Sequence, residues 1–370
     1  MKKIKKTATI TFHKAVNYGA ILQTYALQQS ILKLGIENEV IDYDCRNITK
    51  NFDLISTYSL KSFIKSILIF PLYYRRKKNF ESFMKEKICV TRKIDKQVLF
   101  SKKFNDSYDL FITGSDQVWN YQLTNLDETY MLDFVKNNKK KISYAASFGL
   151  SKIPEQYIEI YRKNLKTFSK ILVRENTGVE IINNLINKKA VSVLDPVFLL
   201  SKNEWNNIIK NSKFDNIKNK YILVYMPKKE MKIFVEFLSK KYNLPVYNIT
   251  DFSLKRGKFF GNIEFSLGPE DFISAIKNAR FIVTASFHAV VFSIIYNKEF
   301  YIYIPQNGEN GIKRASRLND LLKILEIKNR EINSKFVDDN NSLEWKKINE
   351  KLEMERQYSL KILKEVLEVE

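Results

Sequence analysis

Short runs of β-branched and aromatic residues alternate with stretches of helical periodicity along nearly the whole chain. That alternation constrains the fold more than any other feature. Strands separated by helix-length segments pair in parallel, with the helices covering the sheet faces. Ala8–Phe12 reads as the first strand. Gly19–Leu34 follows with apolar residues at helical spacing, and Gly35 stops it. Strands are then expected at Glu39–Tyr43, Leu110–Thr113, Ile142–Ala145, Ile171–Val173 and Val191–Leu194.

A second series opens near Asn203. Its expected strands are Tyr221–Tyr225, Pro245–Ile249, Phe281–Thr284 and Phe300–Ile304. Helices are expected near Lys229–Lys240, Pro269–Asn278, Ala289–Tyr296 and Ser316–Leu325. The step Asp195-Pro196 separates the two series, because a residue before proline resists the helical conformation. The expected architecture is therefore α/β, with two Rossmann-like lobes facing a cleft. Residues 1–196 form the N-terminal lobe, with a basic, aromatic insertion at about 57–103. Residues 197–340 form the C-terminal lobe. Residues 341–370 form a charged amphipathic helix from Ser342 onward, expected to pack back on the N-terminal lobe.

Composition removes several function classes. The chain has 370 residues, 45% of them hydrophobic, which is ample for two packed interiors and excludes disorder throughout. Two cysteines, Cys45 and Cys89, cannot build a disulfide scaffold or a Cys-rich zinc module. Two histidines, His13 and His288, cannot build a multi-histidine metal cage. No G-x-G-x-x-G or G-x-x-x-x-G-K run occurs. The basic N-terminus lacks an apolar stretch long enough for a signal peptide. The longest apolar run, Ile67 to Tyr74, is far short of a membrane span. The expected location is the cytoplasm.

Lys and Arg number 62 against 41 Asp and Glu, a net charge of +21. Nearly half of that excess lies between Thr57 and Lys103, around Arg75-Arg76-Lys77-Lys78. A solvated lysine face accounts for such a segment. So does a helix resting on an anionic bilayer, at the inner face of the cell membrane. A third reading, binding of nucleic acid or another polyanion, lacks any accompanying recognition signature, so nucleic acid is not among the expected partners.

In open α/β sheets, ligands sit beyond the carboxyl ends of the strands. Polar residues gather there repeatedly. His13 and Asn17-Tyr18-Gly19 follow the first strand. Gly114-Ser115-Asp116-Gln117-Val118-Trp119-Asn120, Ala146-Ser147-Phe148-Gly149, Arg174-Glu175-Asn176, Asp195-Pro196 and Ala285-Ser286-Phe287-His288 follow later ones. One shared site is the reading. Each piece also has a plain structural account: a capped turn at Asp116, an ion pair of Arg174 with Glu175 or Glu180, a buried structural His288. Asp42 and Asp44 form an Asp-x-Asp pair of the kind used for divalent metals, but three-residue matches are common and no metal is expected.

Several of these blocks together are similar to the polysaccharide pyruvyl transferase family. They are Asn17 to Gln28, Gly114 to Asn120, Ser143 to Gly149, Val173 to Gly178, Val193 to Leu200 and Thr284 to His288, in family order. The resemblance implies a fold like the two-lobed GT-B glycosyltransferases. It implies a transferase with phosphoenolpyruvate as co-substrate and no further cofactor. The acceptor would be a sugar of a cell-surface polysaccharide or its lipid-linked precursor, and the product a pyruvate ketal. The family block Thr-Asp-Ser-Phe-His-Gly reads Thr284-Ala285-Ser286-Phe287-His288-Ala289 here, so its acidic residue is missing.

Such a donor carries two anionic groups and needs a proton at its methylene carbon. Arginine matches carboxylate and phosphate bidentately, and imidazole titrates near neutral pH. Together with the positions that the family resemblance implies, this makes His288, Arg174 and Arg317 the expected catalytic residues. Ser286, Lys313 and Arg314 join them in donor binding. Asn17, Tyr18, Gln23, Asp116, Trp119 and Asn120 are expected to hold the acceptor or organise the cleft. A nucleotide-sugar glycosyltransferase in the same fold is the alternative.

Overall fold

The computed structural model describes residues 4–53, 60–135, 141–210, 212–250, 261–304, 309–332 and 342–368. Side chains are described for these except 51, 60–63, 65, 66, 68, 69 and 309–315. Two all-parallel sheets organise the chain. The first contains β1 (Lys6–Ile10), β2 (Glu37–Val40), β3 (Leu110–Thr113), β4 (Lys141–Ala146), β5 (Lys170–Val173) and β6 (Ala190–Ser192). Their order is β2-β1-β3-β4-β5-β6. The second contains β7 (Ile222–Tyr225), β8 (Val246–Ile249), β9 (Asn262–Glu264), β10 (Phe281–Thr284) and β11 (Glu299–Ile302). Their order is β11-β10-β7-β8-β9.

The central strands β3, β4, β7 and β10 are buried at every residue. This is why β3, β7 and β10 read as nearly continuous apolar runs rather than alternating ones, while β4 is buried although it carries Lys141 and Ser143. In the first sheet the order reverses between β1 and β3, a switch point that opens a crevice at the carboxyl ends. β1 and β2 end earlier than their apolar patterns suggest, because Thr11–His13 and Ile41–Tyr43 already leave the sheet. β9 lies outside the expected strands: its three residues are half exposed at a sheet edge and carry no apolar run.

The longer helices are α1 (Tyr18–Lys33), α2 (Leu60–Lys87), α3 (Ile158–Leu165), α4 (Asn176–Ile186), α5 (Lys232–Tyr242), α6 (Pro269–Asn278), α7 (Phe287–Ile295), α8 (Glu309–Ile324) and α9 (Trp345–Val366). α8 starts seven residues before the expected Ser316. The switch from β10 into α7 takes only Ala285 and Ser286, and the Ser286 hydroxyl caps the helix by accepting from Ala289 N.

Three elements, α1, α2 and α9, tie the lobes together. The Tyr18 ring stacks on Phe272 at 4.4 Å, and its hydroxyl donates to Leu267 O at 2.9 Å. On α2, Arg76 is buried over the Tyr18 ring and donates to Thr250 O at 3.0 Å, while Asn79 donates to Ser266 O. α9 contributes Leu363, Val366 and Leu367 to an apolar cluster with Leu27, Ile31 and Leu172 of the first sheet's layer. Its Arg356 Nε donates to Phe198 O at 2.6 Å.

Candidate active site

The carboxyl ends of β1 and β3 in one sheet and of β7 and β10 in the other face a shared cavity of about 500 Å³. Its polar wall includes Asn17, Asp116, Gln117, Ser286, His288 and Arg317. Phe12, Phe52, Met226 and Phe287 supply the apolar wall. A cavity with apolar sides and a few convergent polar groups is the ordinary form of a small-molecule site.

Two helices start at this cavity. Asn17 caps α1 by accepting from Ala20 N at 3.1 Å. His288 sits in the first turn of α7. Helix N-termini carry unpaired N–H groups and partial positive charge, which favour an anion. The imidazole lies directly against α1: a Cβ on Gly19 would stand 2.0 Å from His288 Nδ1. Position 19 therefore accepts only glycine if His288 is to keep its place.

Behind His288 lies a buried carboxylate. Asp195 Oδ2 accepts from Arg174 Nη1 at 2.9 Å and from Ser115 Oγ at 3.2 Å, and stands 3.5 Å from His288 Nε2. Its Oδ1 accepts from Val197 N at 3.1 Å. Pro196 holds Asp195 extended and opens a 3₁₀ turn, so the carboxylate caps that turn while facing the site. Burial alone would raise the Asp195 carboxyl, but His288 and then Arg174 outweigh it and hold it well below the usual carboxylate range.

Arg174 is buried among three acids: Asp195, Asp116 at 3.9 Å and Glu175 at 3.8 Å. Burial opposes its charge, and the three acids more than restore it. Its guanidinium faces the Phe287 ring at 4.9 Å, and Arg317 faces the same ring at 5.9 Å. Phe287 thus touches one arginine on the cavity wall and one buried behind it.

The backbone under the site is irregular. Asp116 has φ 81° and Ala145 has φ 51°, and the register of β4 against β5 shifts between Ser143 and Ala146. Left-handed φ values at non-glycine residues cost energy and persist where neighbours enforce them. Here they turn the Asp116 carboxylate back to accept from Gln117 N at 2.8 Å.

The structure brings His288, Arg317, Ser286, Asn17 and Asp116 onto one wall. It does not bring Arg174 there; that side chain is packed behind His288. Tyr18 faces the second lobe, as above. Gln23 is buried and donates to Thr11 Oγ1 and Ala20 O. Trp119 is buried and donates to Tyr130 O at 3.1 Å. Asn120 caps a short turn and donates to Gln117 Oε1. The side chains of Lys313 and Arg314 lie outside the described residues. Gln117, Asn47, Lys50 and Gln122 also line the cavity, beyond the expected set. The strand-end rule reaches three of them: Gln117 follows β3, and Asn47 and Lys50 lie in the short helical turns after β2.

Asp42 and Asp44 do not act as a pair. Asp42 faces His13 at 3.3 Å and Lys14 at 2.5 Å, while Asp44 accepts from Thr49 Oγ1. Burial works against the Asp42 charge, but His13 and Lys14 bring its pKa down to about 2. Among the described residues, no group of three acidic, histidine or cysteine side chains is placed to hold a metal.

A family model described as polysaccharide pyruvyl transferase matches residues 17–307. No curated protein matches the chain significantly. Among solved structures, the chain is similar to a Listeria monocytogenes protein described as a UDP-N-acetylglucosamine 2-epimerase. Identity is 8%, coverage 97% of this chain and 90% of that one, and the TM-score 0.50. It is also similar to UDP-N-acetylglucosamine 2-epimerase from Rickettsia bellii, with 14% identity, 99% and 97% coverage and a TM-score of 0.49. The glycosyltransferase SnogD from Streptomyces nogalater aligns at 10% identity, 97% and 95% coverage and a TM-score of 0.43. With the Listeria monocytogenes protein the chain shares a two-lobed, GT-B-like fold.

Proposed function

The chain belongs to the polysaccharide pyruvyl transferase family, and from that premise we propose that it moves a pyruvyl group from phosphoenolpyruvate to a sugar, releasing phosphate and forming a cyclic ketal. The acceptor class is a surface polysaccharide or its lipid-linked precursor. The observation that carries this reading is the place of His288. It stands at the wall of an anion-favouring cavity, with Asp195 behind it and Arg317 on the same wall.

The chemistry follows from those positions. Phosphoenolpyruvate brings a phosphate and a carboxylate. Arg317 and the N-terminal turns of α1 and α7 offer donors to those two anions. Protonated His288 delivers its proton to the methylene carbon, which leaves a cation at C2. One sugar hydroxyl attacks C2 and its proton returns to His288. Phosphate then leaves from C2, and a second hydroxyl of the same sugar closes the ketal as its proton passes to the departing phosphate. Asp195 stabilises the imidazolium before transfer and keeps the ring aimed. Arg174 acts through Asp195 and Phe287 rather than by touching the donor. Asn17 and Asp116, which line the cavity, would accept from acceptor hydroxyls. Asp195 reaches His288 from another strand end, so the block with Ala285 still has an acid beside its histidine.

Calorimetric titration of phosphoenolpyruvate tests the donor, and phosphate release with a sugar acceptor tests transfer. Saturable binding by the wild type, weakened in Arg317→Ala, is the expected result. Binding of UDP- or GDP-sugars with none of phosphoenolpyruvate would overturn the reading in favour of glycosyl transfer.

A further inference from the structure

α2 presents two different faces. Tyr73, Arg76, Phe80 and Phe83 are buried against the body of the protein. Turned away from them, Ile64, Ile67, Phe70 and Tyr74 recur every three or four residues and are 52%, 51%, 37% and 50% exposed. The Phe70 and Tyr74 rings stack on each other at 5.9 Å rather than on the protein. Scattered surface apolar residues need no account, but a contiguous helical stripe of this kind does.

The same outward side continues into Arg75, Lys78 and Lys85, all exposed. Glu81 and Glu86 interrupt it, and Glu86 is engaged by Ser82 and by Lys210 at 3.8 Å. No described helix is long and apolar enough to cross a membrane. We propose that this face of α2 docks on an anionic lipid bilayer. The apolar stripe enters the headgroup boundary, and Arg75, Lys78 and Lys85 meet the lipid charges. A nucleic acid would satisfy the cations but leave the stripe in water. A second copy would cover the stripe but bring like charges together on a chain of net charge +21.

α2 also has a part in the site's surroundings. Its Lys77, Phe80, Glu81 and Met84 wall a side cavity of about 340 Å³. That cavity shares Ala15 and Phe52 with the main one. Docking therefore puts the approach to the main cavity beside the lipid surface, where a lipid-linked acceptor would arrive. The docking stands whether or not the donor is phosphoenolpyruvate.

Co-sedimentation with phosphatidylglycerol-containing vesicles, against pure phosphatidylcholine vesicles, tests it. The wild type should pellet with the anionic vesicles at low salt and less so at high salt. The surface variants Ile67→Ser/Tyr74→Ser and Arg75→Glu/Lys78→Glu should each weaken binding at least about tenfold. Two variants of opposite chemistry keep the test valid if one folds poorly, as circular dichroism would reveal. Absence of wild-type binding at low salt, or equal binding by folded variants, would overturn the proposal. So would a dimer, seen by sedimentation velocity, that Ile67→Ser/Tyr74→Ser dissolves.

Discussion

The Asp195 carboxylate, carried at the end of the first sheet, lies 3.5 Å from His288 Nε2, carried by the second. Each residue alone is commonplace. Together they join the two lobes behind the cavity wall and give the histidine an acid that its own sequence block lacks. His288 and Arg174, the latter 2.9 Å from the same carboxylate, together keep that acid charged.

Replacing Asp195 by Asn preserves shape and removes charge. Arg174 then keeps only its longer approaches to Asp116 and Glu175. Breaking a buried pair from one side costs about 3 kcal/mol or more. Urea denaturation of Asp195→Asn should show that destabilisation, and Arg174→Ala should show a similar one. Both should also lose activity, since His288 loses its alignment.

His288→Gln should fold normally and lose about 10² to 10⁴ in turnover, the usual range for a positioned acid. Phosphoenolpyruvate affinity should change far less than turnover. Steady-state kinetics beside direct titration separates the two. An equal fall in both would make His288 a binding residue instead.

Gly19→Ala adds one methyl group against His288 Nδ1. The helix itself favours alanine over glycine. The clash forces the imidazole to move, which should cut turnover at least about tenfold while the far-ultraviolet circular dichroism stays unchanged. A fully active Gly19→Ala would place the reacting proton elsewhere.

Acid should unfold the protein through Asp195 and Asp42. Both have folded-state pKa values below their unfolded ones, Asp42 at about 2. In acid the unfolded chain therefore binds more protons, and stability rises with pH. The contribution is complete above about pH 5, a unit beyond the ordinary carboxylate value. It is lost as pH falls through the folded values. Urea midpoints measured from pH 5 downward should decline, and Asp42→Asn should flatten part of that slope.

Arg76 is buried beneath α2, over the Tyr18 and Phe80 rings, with Thr250 O as acceptor. Arg76→Ala should destabilise by about 2 kcal/mol, because a charged hydrogen bond and the stacking of a cation on aromatic rings vanish together. Hydrogen exchange should rise first along Tyr73–Phe83, because Arg76 joins α2 to the second lobe.

The α/β class and most strands were legible because a strand buried on both faces tends toward a continuous apolar run, whatever its neighbours. Leu110–Thr113 and Phe281–Thr284 read correctly to the residue for that reason. β9 did not, since a three-residue edge strand takes its pairing from β8 rather than from its own residues. Within the site, the strand-end rule pointed to Asn17, Asp116, Ser286 and His288, which do share one wall.

What the sequence determined by itself was the local inventory: which segments are strands, which side chains follow them, and which basic, aromatic stretch stands apart. Only the tertiary structure decided who meets whom. Arg174 had the chemistry to bind an anion at the surface, yet three carboxylates from three strand ends enclose it and turn it to support. Gly19 looked like a helix start, yet its missing Cβ makes room for an imidazole 269 residues away. Such pairings depend on sheet order and lobe closure, which are set by packing across the whole chain. No local stretch of residues encodes them.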